Sequence, residues 1–143
     1  MNKESKKLKI TLVDDDQDDR EYFADAVNEI LSECELTIYK DGQKVMDDIL
    51  NSKFEIPDLL FLDLNMPILS GKKLLEEMRK FEEFKKIPII SLTAKAMKGD
   101  REKAISAGAS DYVTKPVDPE KLLSAMYIWL KKSEKQNPKV IKT

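Results

Sequence analysis

An acidic residue ends the most apolar stretch of this 143-residue chain. The run LLFL (59–62) leads directly into Asp63, and Asn65 and Pro67 follow within four positions. A carboxylate at the end of a buried strand loses hydration, so a cation, a hydrogen-bond partner or a chemical role must compensate it. A turn formed by the Asp63 side chain before Asn65 and Pro67 is the weaker interpretation. We therefore take Asp63 as a candidate functional residue.

Polar residues follow three other predicted strands in the same way. These groups are, in chain order, Asp14-Asp15-Asp16, Thr93-Ala94 and Lys115-Pro116. Because the carboxyl ends of parallel strands share one edge of a sheet, we expect all of them to lie near Asp63. Thr93 alone would be an ordinary strand-end hydroxyl and Lys115 alone a solvated lysine. Their convergence on one edge is what indicates a site.

The acidic run DDDQDD (14–19) also has a structural explanation. The helix macrodipole favours acids at a helix N-terminus, and Asp16 is a candidate N-cap. We apply this explanation to Asp16, Asp18 and Asp19. It accounts less well for Asp14 and Asp15, because these two residues end the strand rather than begin the helix.

The chemistry of this group is that of phosphate and a hard cation. Carboxylates packed together repel one another until a cation joins them. Oxygen ligands without His or Cys favour Mg²⁺, which needs one or two protein carboxylates and bridges to phosphate. Asp63 can then attack phosphorus, while Lys115 and the Thr93 hydroxyl hold the charged oxygens of the transferring group. Ala94 is small and leaves room for that group.

Composition excludes several other kinds of site. The chain has no histidine, which rules out His-based nucleophile pairs, His-ligated metals and a phosphohistidine donor within this chain. The one cysteine, Cys34, allows no internal disulfide, and we interpret it as structural. The lysines concentrate at the two ends, so the body is more acidic than the formal net charge of −2 indicates. An acidic body argues against nucleic-acid binding.

Apolar periodicity predicts five strands that alternate with five helices. The predicted strands are 8–13, 35–39, 58–62, 87–92 and 110–113. The fourth helix is predicted at about 98–107 and ends at Gly108. This alternation predicts an α/β fold with a doubly wound parallel sheet.

The length of the chain suits one domain. We expect a basic leader at 1–7, the domain at 8–131 and a flexible basic tail at 132–143. The N-terminus lacks the apolar segment of a signal peptide, and no apolar run is long enough for a membrane span. A cytoplasmic protein without a membrane partner is the expectation.

Four motifs give the sequence a family resemblance. They are LVDD (12–15), FLDLNMP (61–67), SLTA (91–94) and YVTKP (112–116). In order and spacing they resemble the receiver domain of two-component response regulators, over about residues 8–131. The resemblance implies a flavodoxin-like fold with strand order 2-1-3-4-5, which would bring the first and third strands together.

The resemblance also implies a role for each site residue. Asp63 would be the phosphoacceptor, and Thr93 and Lys115 would bind the phosphoryl group. The implied Mg²⁺ ligands are Asp15, Asp63 and the backbone carbonyl of Asn65, with Asp14 in support. The protein would then be no enzyme in the usual sense, because it would catalyse only its own phosphotransfer and dephosphorylation.

A switch is implied as well. Thr93 would move toward the phosphoryl group and Tyr112 would turn inward, which changes the surface of the fourth helix, fifth strand and fifth helix. Lys115-Pro116 is implied to be a cis peptide. Asn65 and Lys95 occupy the positions that modulate dephosphorylation in this family, and Lys95 is compatible with either a slow or a fast rate.

The implied phosphoryl donor is a histidine kinase or a histidine phosphotransfer protein. The implied output is a downstream protein that binds the switch surface, and the resemblance leaves a homodimer through that surface open. Residues 12–21 resemble stand-alone receivers, whereas residues 93–123 resemble receivers of hybrid kinases. We favour a stand-alone receiver and keep a hybrid-kinase module as the alternative.

Two other functions compete with this one. A haloacid-dehalogenase-like phosphatase would use Asp14 as nucleophile, with Asp16 at the matching spacing, but there is no room before the first helix for the flap of that family. A receiver-like interaction module that is never phosphorylated is the other alternative. This second alternative assigns no function to the complete set of acceptor-site residues.

Overall fold

The computed structural model describes residues 7–31 and 33–133. The sheet consists of β1 (Leu8–Val13), β2 (Cys34–Tyr39), β3 (Leu59–Asp63), β4 (Ile89–Thr93) and β5 (Asp111–Thr114). The helices are α1 (Gln17–Ile30), α2 (Gly42–Leu50), α3 (Gly71–Met78), α4 (Asp100–Ala107) and α5 (Pro119–Ser133), with a 3₁₀ turn at Glu82–Phe84. Residues 1–6 of the predicted leader and 134–143 of the predicted tail lie outside the described residues. Helix α5 continues two residues into the predicted tail.

The five strands form one parallel sheet in the order β2-β1-β3-β4-β5. This order confirms the predicted α/β architecture and the flavodoxin-like topology. It places β1 beside β3, so the residues at their carboxyl ends are neighbours although some 50 positions separate them in the chain. The chain reverses its winding direction at this point, which is where open parallel sheets bind their ligands.

Strands β2 to β5 differ from the prediction by one or two residues at one or both ends. Asp63 and Thr93 are the last residues of β3 and β4 rather than the residues that follow them, because they pair in register with Leu92 and Thr114. Strand β4 begins at Ile89, two residues later than predicted. Pro88 precedes it and has no N–H for the ladder, although its carbonyl accepts from Leu60 N.

Two apolar layers cover the sheet. Leu59 and Phe61 of β3 pack with α1 and α5 on one face. Leu60 and Leu62 pack with α2, α3 and α4 on the other face. All five residues of β3 are buried, as its continuous apolar sequence predicts for a central parallel strand. Asp63 is therefore fixed at the end of the most buried strand.

Side-chain caps begin four of the described helices, including α5, where Asp118 Oδ1 accepts from Lys121 N. Asp16 Oδ2 accepts a hydrogen bond from Asp19 N, which confirms Asp16 as the N-cap of α1. Asp41 and Ser70 cap α2 and α3 in the same way. Gly108 ends α4 with a φ of 120°, a left-handed conformation in which a side chain would be strained.

At the amino edge of the sheet, Arg79 joins the end of α3 to two connecting segments, 84–87 and 108–110. Its guanidinium donates to the carbonyls of Phe84, Ile87 and Gly108 and to the Ser110 hydroxyl. Burial lowers the pKa of Arg79, and all of these partners are neutral. The arginine thereby fastens the end of α3 to the starts of β4 and β5.

Among residues 7–31 and 33–133, every helix is too short or too polar to traverse a lipid bilayer.

Candidate functional site

Three carboxylates meet at the carboxyl edge of β1 and β3. One oxygen from each of Asp14, Asp15 and Asp63 lies within 4.8 Å of the others. Asp14 and Asp63 are only 1% and 3% exposed, whereas Asp15 is exposed to solvent. The adjacency of β1 and β3 thus produces the convergence that the strand-end pattern predicts.

Local backbone hydrogen bonds hold the two buried carboxylates. Asp14 Oδ1 accepts from Asp16 N at 2.9 Å, and Asp63 Oδ1 accepts from Asn65 N at 2.9 Å. In each case the second oxygen, Oδ2, points to Lys115. The carboxylates are therefore oriented before any ligand arrives.

The loop after Asp63 packs closely on the first turn of α3. A Cβ on Gly71 would lie 1.9 Å from the Asp63 carbonyl oxygen, so only glycine fits at this position. Gly71 N also donates to the Leu64 carbonyl. This close approach fixes the path of the chain directly after the candidate acceptor.

Lys115 reaches into the carboxylate group from the end of β5. Its Nζ lies 3.0 Å from Asp14 Oδ2 and 3.2 Å from Asp63 Oδ2. A third carboxylate, Asp19 Oδ2, is closer still at 2.7 Å. Burial alone would lower the pKa of Lys115, but the bonds to Asp19 and Asp14 outweigh it and raise the pKa above its ordinary value. The ammonium group is thus firmly charged.

Burial also changes the acids. It raises the pKa of Asp14 from 3.8 to about 6, although the Asp16 N–H and Lys115 act in the opposite direction. Partial desolvation is the main cause that raises the pKa of Asp15, and the hydrogen bond to Asp63 is the second. Such shifts are expected where carboxylates crowd together with too few cations.

Asp19 is the site residue that the sequence analysis missed. We had assigned it to the helix N-terminus, and it does lie in the first turn of α1. Its carboxylate, however, pairs with Lys115 across 96 residues of sequence. A helical signal was available: Asp19 precedes Phe23 and Ala26 by four and seven residues, and both of these are buried. Asp18 lies off that face and is exposed.

The predicted switch residues lie beside a cavity next to the carboxylates. Thr93 is 6% exposed, and its hydroxyl donates to the Lys95 carbonyl at 3.2 Å. Tyr112 is half-buried, and its hydroxyl is 3.2 Å from Asp100 Oδ2. Thr93, Tyr112 and Asp100 help to line a cavity of about 210 Å³ that also contacts Asn65. The structure brings these residues to one side of the site.

The remaining predicted positions are at the mouth of the site. Asn65 and Lys95 are both exposed. The structure places the Lys95 carbonyl, rather than its side chain, in contact with Thr93. The Lys115-Pro116 peptide bond is cis, as the resemblance implied.

The donor set suits a hard divalent cation. Asp14, Asp15 and Asp63 supply oxygen only, and no histidine exists in the chain. Mg²⁺ prefers carboxylate oxygen and water, and it commonly keeps several waters, so an exposed Asp15 beside buried Asp14 and Asp63 fits it. The residues present can therefore hold the metal that the sequence pattern predicts.

Comparisons with known proteins show which sequences and structures this chain resembles. The family model described as the response regulator receiver domain matches residues 10–127. Hybrid signal transduction histidine kinase I of Dictyostelium discoideum is 45% identical over 92 residues, which are 62% of this chain and 5% of that kinase. The probable transcriptional regulator ycf29 of Porphyra purpurea is 49% identical over 67 residues, or 47% of this chain and 32% of that protein. The chain thus spans a third or less of the length of these two relatives.

A solved structure resembles the whole sheet. It is the receiver domain of the sensor histidine kinase PA1611 of Pseudomonas aeruginosa PAO1, whose active site cleft coordinates a magnesium ion. It is 27% identical to this chain with a TM-score of 0.74, and the match covers 88% of this chain and 99% of that domain.

Proposed function

The chain belongs to the response regulator receiver domain family of two-component signalling, and from that premise we propose that it accepts a phosphoryl group on Asp63. One observation carries the proposal. The Asp63 carboxylate lies within 4.8 Å of Asp14 and Asp15 oxygens and 3.2 Å from the Lys115 ammonium. A nucleophile, acidic metal ligands and a fixed cation are the parts that phosphoryl transfer needs.

The transfer exchanges one bond to phosphorus for another. A carboxylate oxygen of Asp63 attacks phosphorus and a P–O bond forms. The P–N bond of a phosphohistidine breaks, and the imidazole leaves with the bonding electrons and takes up a proton from solvent. The donor in this proposal is a histidine kinase or a histidine phosphotransfer protein, as the receiver family implies. The donor histidine lies outside these 143 residues, because they contain none. Lys115 and the Thr93 hydroxyl hold the phosphoryl oxygens, which carry the negative charge.

The metal in this proposal is Mg²⁺. Asp15 and Asp63 would hold it, with the Asn65 carbonyl, and Asp14 would support them. When bound, it neutralises charge on the carboxylates and on the transferring group. The relative from Pseudomonas aeruginosa, which has magnesium in its active site cleft, supports this part of the proposal.

The output is a change of surface. To reach a phosphoryl oxygen, the Thr93 hydroxyl must leave the Lys95 carbonyl, which vacates space on the side of Tyr112. Tyr112 then turns inward from Asp100 and repacks α4, β5 and α5. Ile105 on α4 and Leu123 on α5 are exposed apolar side chains of that surface. A downstream protein, or a second copy of this chain, binds there.

Asn65 and Lys95 set the lifetime of the phosphorylated form. Both side chains are exposed at the mouth of the site, where a hydrolytic water would enter. The phosphatase alternative, with Asp14 as nucleophile, has less support. The Asp16 carboxylate, which that mechanism would use beside Asp14, is engaged in capping α1.

The test is a mass spectrum after incubation with a small phosphodonor and Mg²⁺. We expect one phosphoryl group on the wild type, located on Asp63, and none on Asp63→Asn or without Mg²⁺. Because the acyl phosphate can be short-lived, binding of fluoroberyllate, a stable mimic, is measured in parallel. A phosphoryl group on Asp14, or the absence of both the adduct and fluoroberyllate binding, would refute the proposal.

A further inference from the structure

Three carboxylates saturate the Lys115 ammonium. A lysine has three N–H donors and no acceptor. The Nζ of Lys115 is within hydrogen-bonding distance of Asp14, Asp63 and Asp19, so its donors are used before any phosphoryl group arrives. To bind an entering phosphoryl oxygen, Lys115 must release one of these three partners.

The three partners differ in how easily they can be released. The side chains of Asp14 and Asp63 are 1% and 4% exposed, and each carboxylate is also fixed by a backbone N–H. Asp14, if released, would be a buried charge without its cation, which is costly. Asp63 is the acceptor itself and stays at the site because it carries the phosphoryl group. The side chain of Asp19 is 33% exposed, so water can replace the lysine around its carboxylate.

We propose that Asp19 is a positioning residue that occupies the place of the phosphoryl oxygen on Lys115 and gives it up when the phosphoryl group enters. This inference rests on the proposed function and adds a competitor within the same site. Asp19 then weakens the binding of the phosphoryl group, because Lys115 must break its ion pair with Asp19 before it can bind a phosphoryl oxygen.

Capping of α1 does not explain the position of this carboxylate. Asp16 is already the N-cap, and Asp19 contributes to the cap through its backbone N–H. The Asp19 side chain turns instead toward Lys115, on the same helical face as Phe23. Its charge therefore acts mainly on the phosphoryl site. There the Lys115 ammonium contacts Asp14, Asp19 and Asp63. Asp15 lies close to Asp14 and Asp63.

The test compares the affinity for fluoroberyllate at saturating Mg²⁺ in four proteins: the wild type, Asp19→Asn, Asp19→Glu and Asp18→Asn. Asp18→Asn is the matched control. It removes the same charge from the same helical turn. Asp18 is exposed, and among the described residues the ion-pair partners of Lys115 are Asp14, Asp19 and Asp63. Circular dichroism and thermal unfolding verify that each variant is folded.

We expect Asp19→Asn to bind fluoroberyllate about fivefold more tightly, the size of effect of a partly exposed ion pair. Asp18→Asn should change the affinity by less than about twofold, because it alters only the overall charge near the site, which solvent and salt screen. Asp19→Glu should remain close to the wild type, since it restores the competing carboxylate. A purely structural role for Asp19 would not give this combination.

Two results would overturn the inference: equal affinities in Asp19→Asn and Asp18→Asn, or weaker binding in Asp19→Asn. A wild type that binds no fluoroberyllate, and takes no phosphoryl group on Asp63, would instead refute the proposed function. Tighter binding in Asp19→Asn, with Asp19→Glu like the wild type, supports both.

Discussion

The two edges of the sheet each contain a desolvated cation, and the two cations are neutralised in different ways. Lys115 at the carboxyl edge is surrounded by the charged carboxylates of Asp14, Asp19 and Asp63. Arg79 at the amino edge is surrounded by neutral acceptors, namely three main-chain carbonyls and the Ser110 hydroxyl. Both cations join segments that are distant in the sequence.

This difference in partners indicates that Lys115 serves ligand binding, whereas Arg79 serves stability. Side-chain carboxylates can turn to a metal ion or change protonation, so the partners of Lys115 can be exchanged. The partners of Arg79 belong to the backbone of packed elements, so they cannot move without local unfolding. A planar guanidinium with five donors suits such a fixed set of acceptors, whereas a compact ammonium suits exchange. We therefore expect loss of the cation at the amino edge to affect folding, and changes of charge at the carboxyl edge to affect ligands and pH dependence.

The largest expected effect is at the amino edge. Arg79→Met should lower the free energy of unfolding by about 3–4 kcal/mol, because it leaves several buried carbonyls without a donor. Urea denaturation measures this loss. Arg101→Met is the matched control: Arg101 is an exposed arginine paired with Asp111, and its loss should cost less than about 1 kcal/mol. Equal losses in the two variants would contradict the assigned role of Arg79.

A steric change at the carboxyl edge should have the next largest effect. Gly71→Ala would put a methyl group against the Asp63 carbonyl and should cost about 2–3 kcal/mol, because the clash is with backbone. Thermal or urea unfolding measures the cost. Gly99→Ala is the control: its Cβ would meet open space, and the positive φ of 86° alone should cost about 1 kcal/mol. If the two variants lose the same stability, the close packing at Gly71 does not hold the acceptor loop.

The third prediction uses the pKa of Asp14, which is about 6 in the folded protein and 3.8 ordinarily. The folded state then binds a proton more tightly than the unfolded chain, so this group reduces stability as pH rises from about 4 to about 6. Asp14→Asn has no such group. Its stability relative to the wild type should therefore increase by about 2 kcal/mol between pH 4 and pH 7 in metal-free buffer.

Urea denaturation at a series of pH values measures this difference. Asp18→Asn is the control, because it removes an exposed carboxylate of the same type. A relative stability of Asp14→Asn that is constant across the pH range would show that burial does not control Asp14. In that case the carboxyl edge, with its carboxylates, would not differ in pH dependence from the amino edge, with its neutral acceptors.

Local patterns were enough to predict much of the fold and the centre of the site. The apolar run before Asp63 identified β3 as a central strand. The acids after the first strand identified β1 as another strand that contributes to the site. The boundaries of β3 and β4 were misplaced by one or two residues, because interstrand pairing rather than composition decides where a strand ends. Asp16 was predicted as a cap because capping depends on contacts only three residues apart.

Residues whose partners are distant could not be assigned in the same way. Arg79 received no role from the sequence, since its acceptors belong to two other segments, 84–87 and 108–110. Asp19 was assigned to the helix N-terminus, since the helix dipole is a local reason for an acid there. The competing reason, Lys115, is 96 residues away and becomes a neighbour only when β5 and α1 pack together.

The sequence by itself determined which elements form and which polar residues lie at or just after the strand ends, and hence that Asp14, Asp15, Asp63, Thr93 and Lys115 share one edge. These properties depend on side-chain type and short-range periodicity. Only the tertiary structure decided how charge is distributed among them: which carboxylates are buried, which one is exposed enough to be exchanged, and which acceptors surround each cation. The physical reason is that desolvation and ion pairing depend on three-dimensional distance, and folding brings together groups that are far apart along the chain.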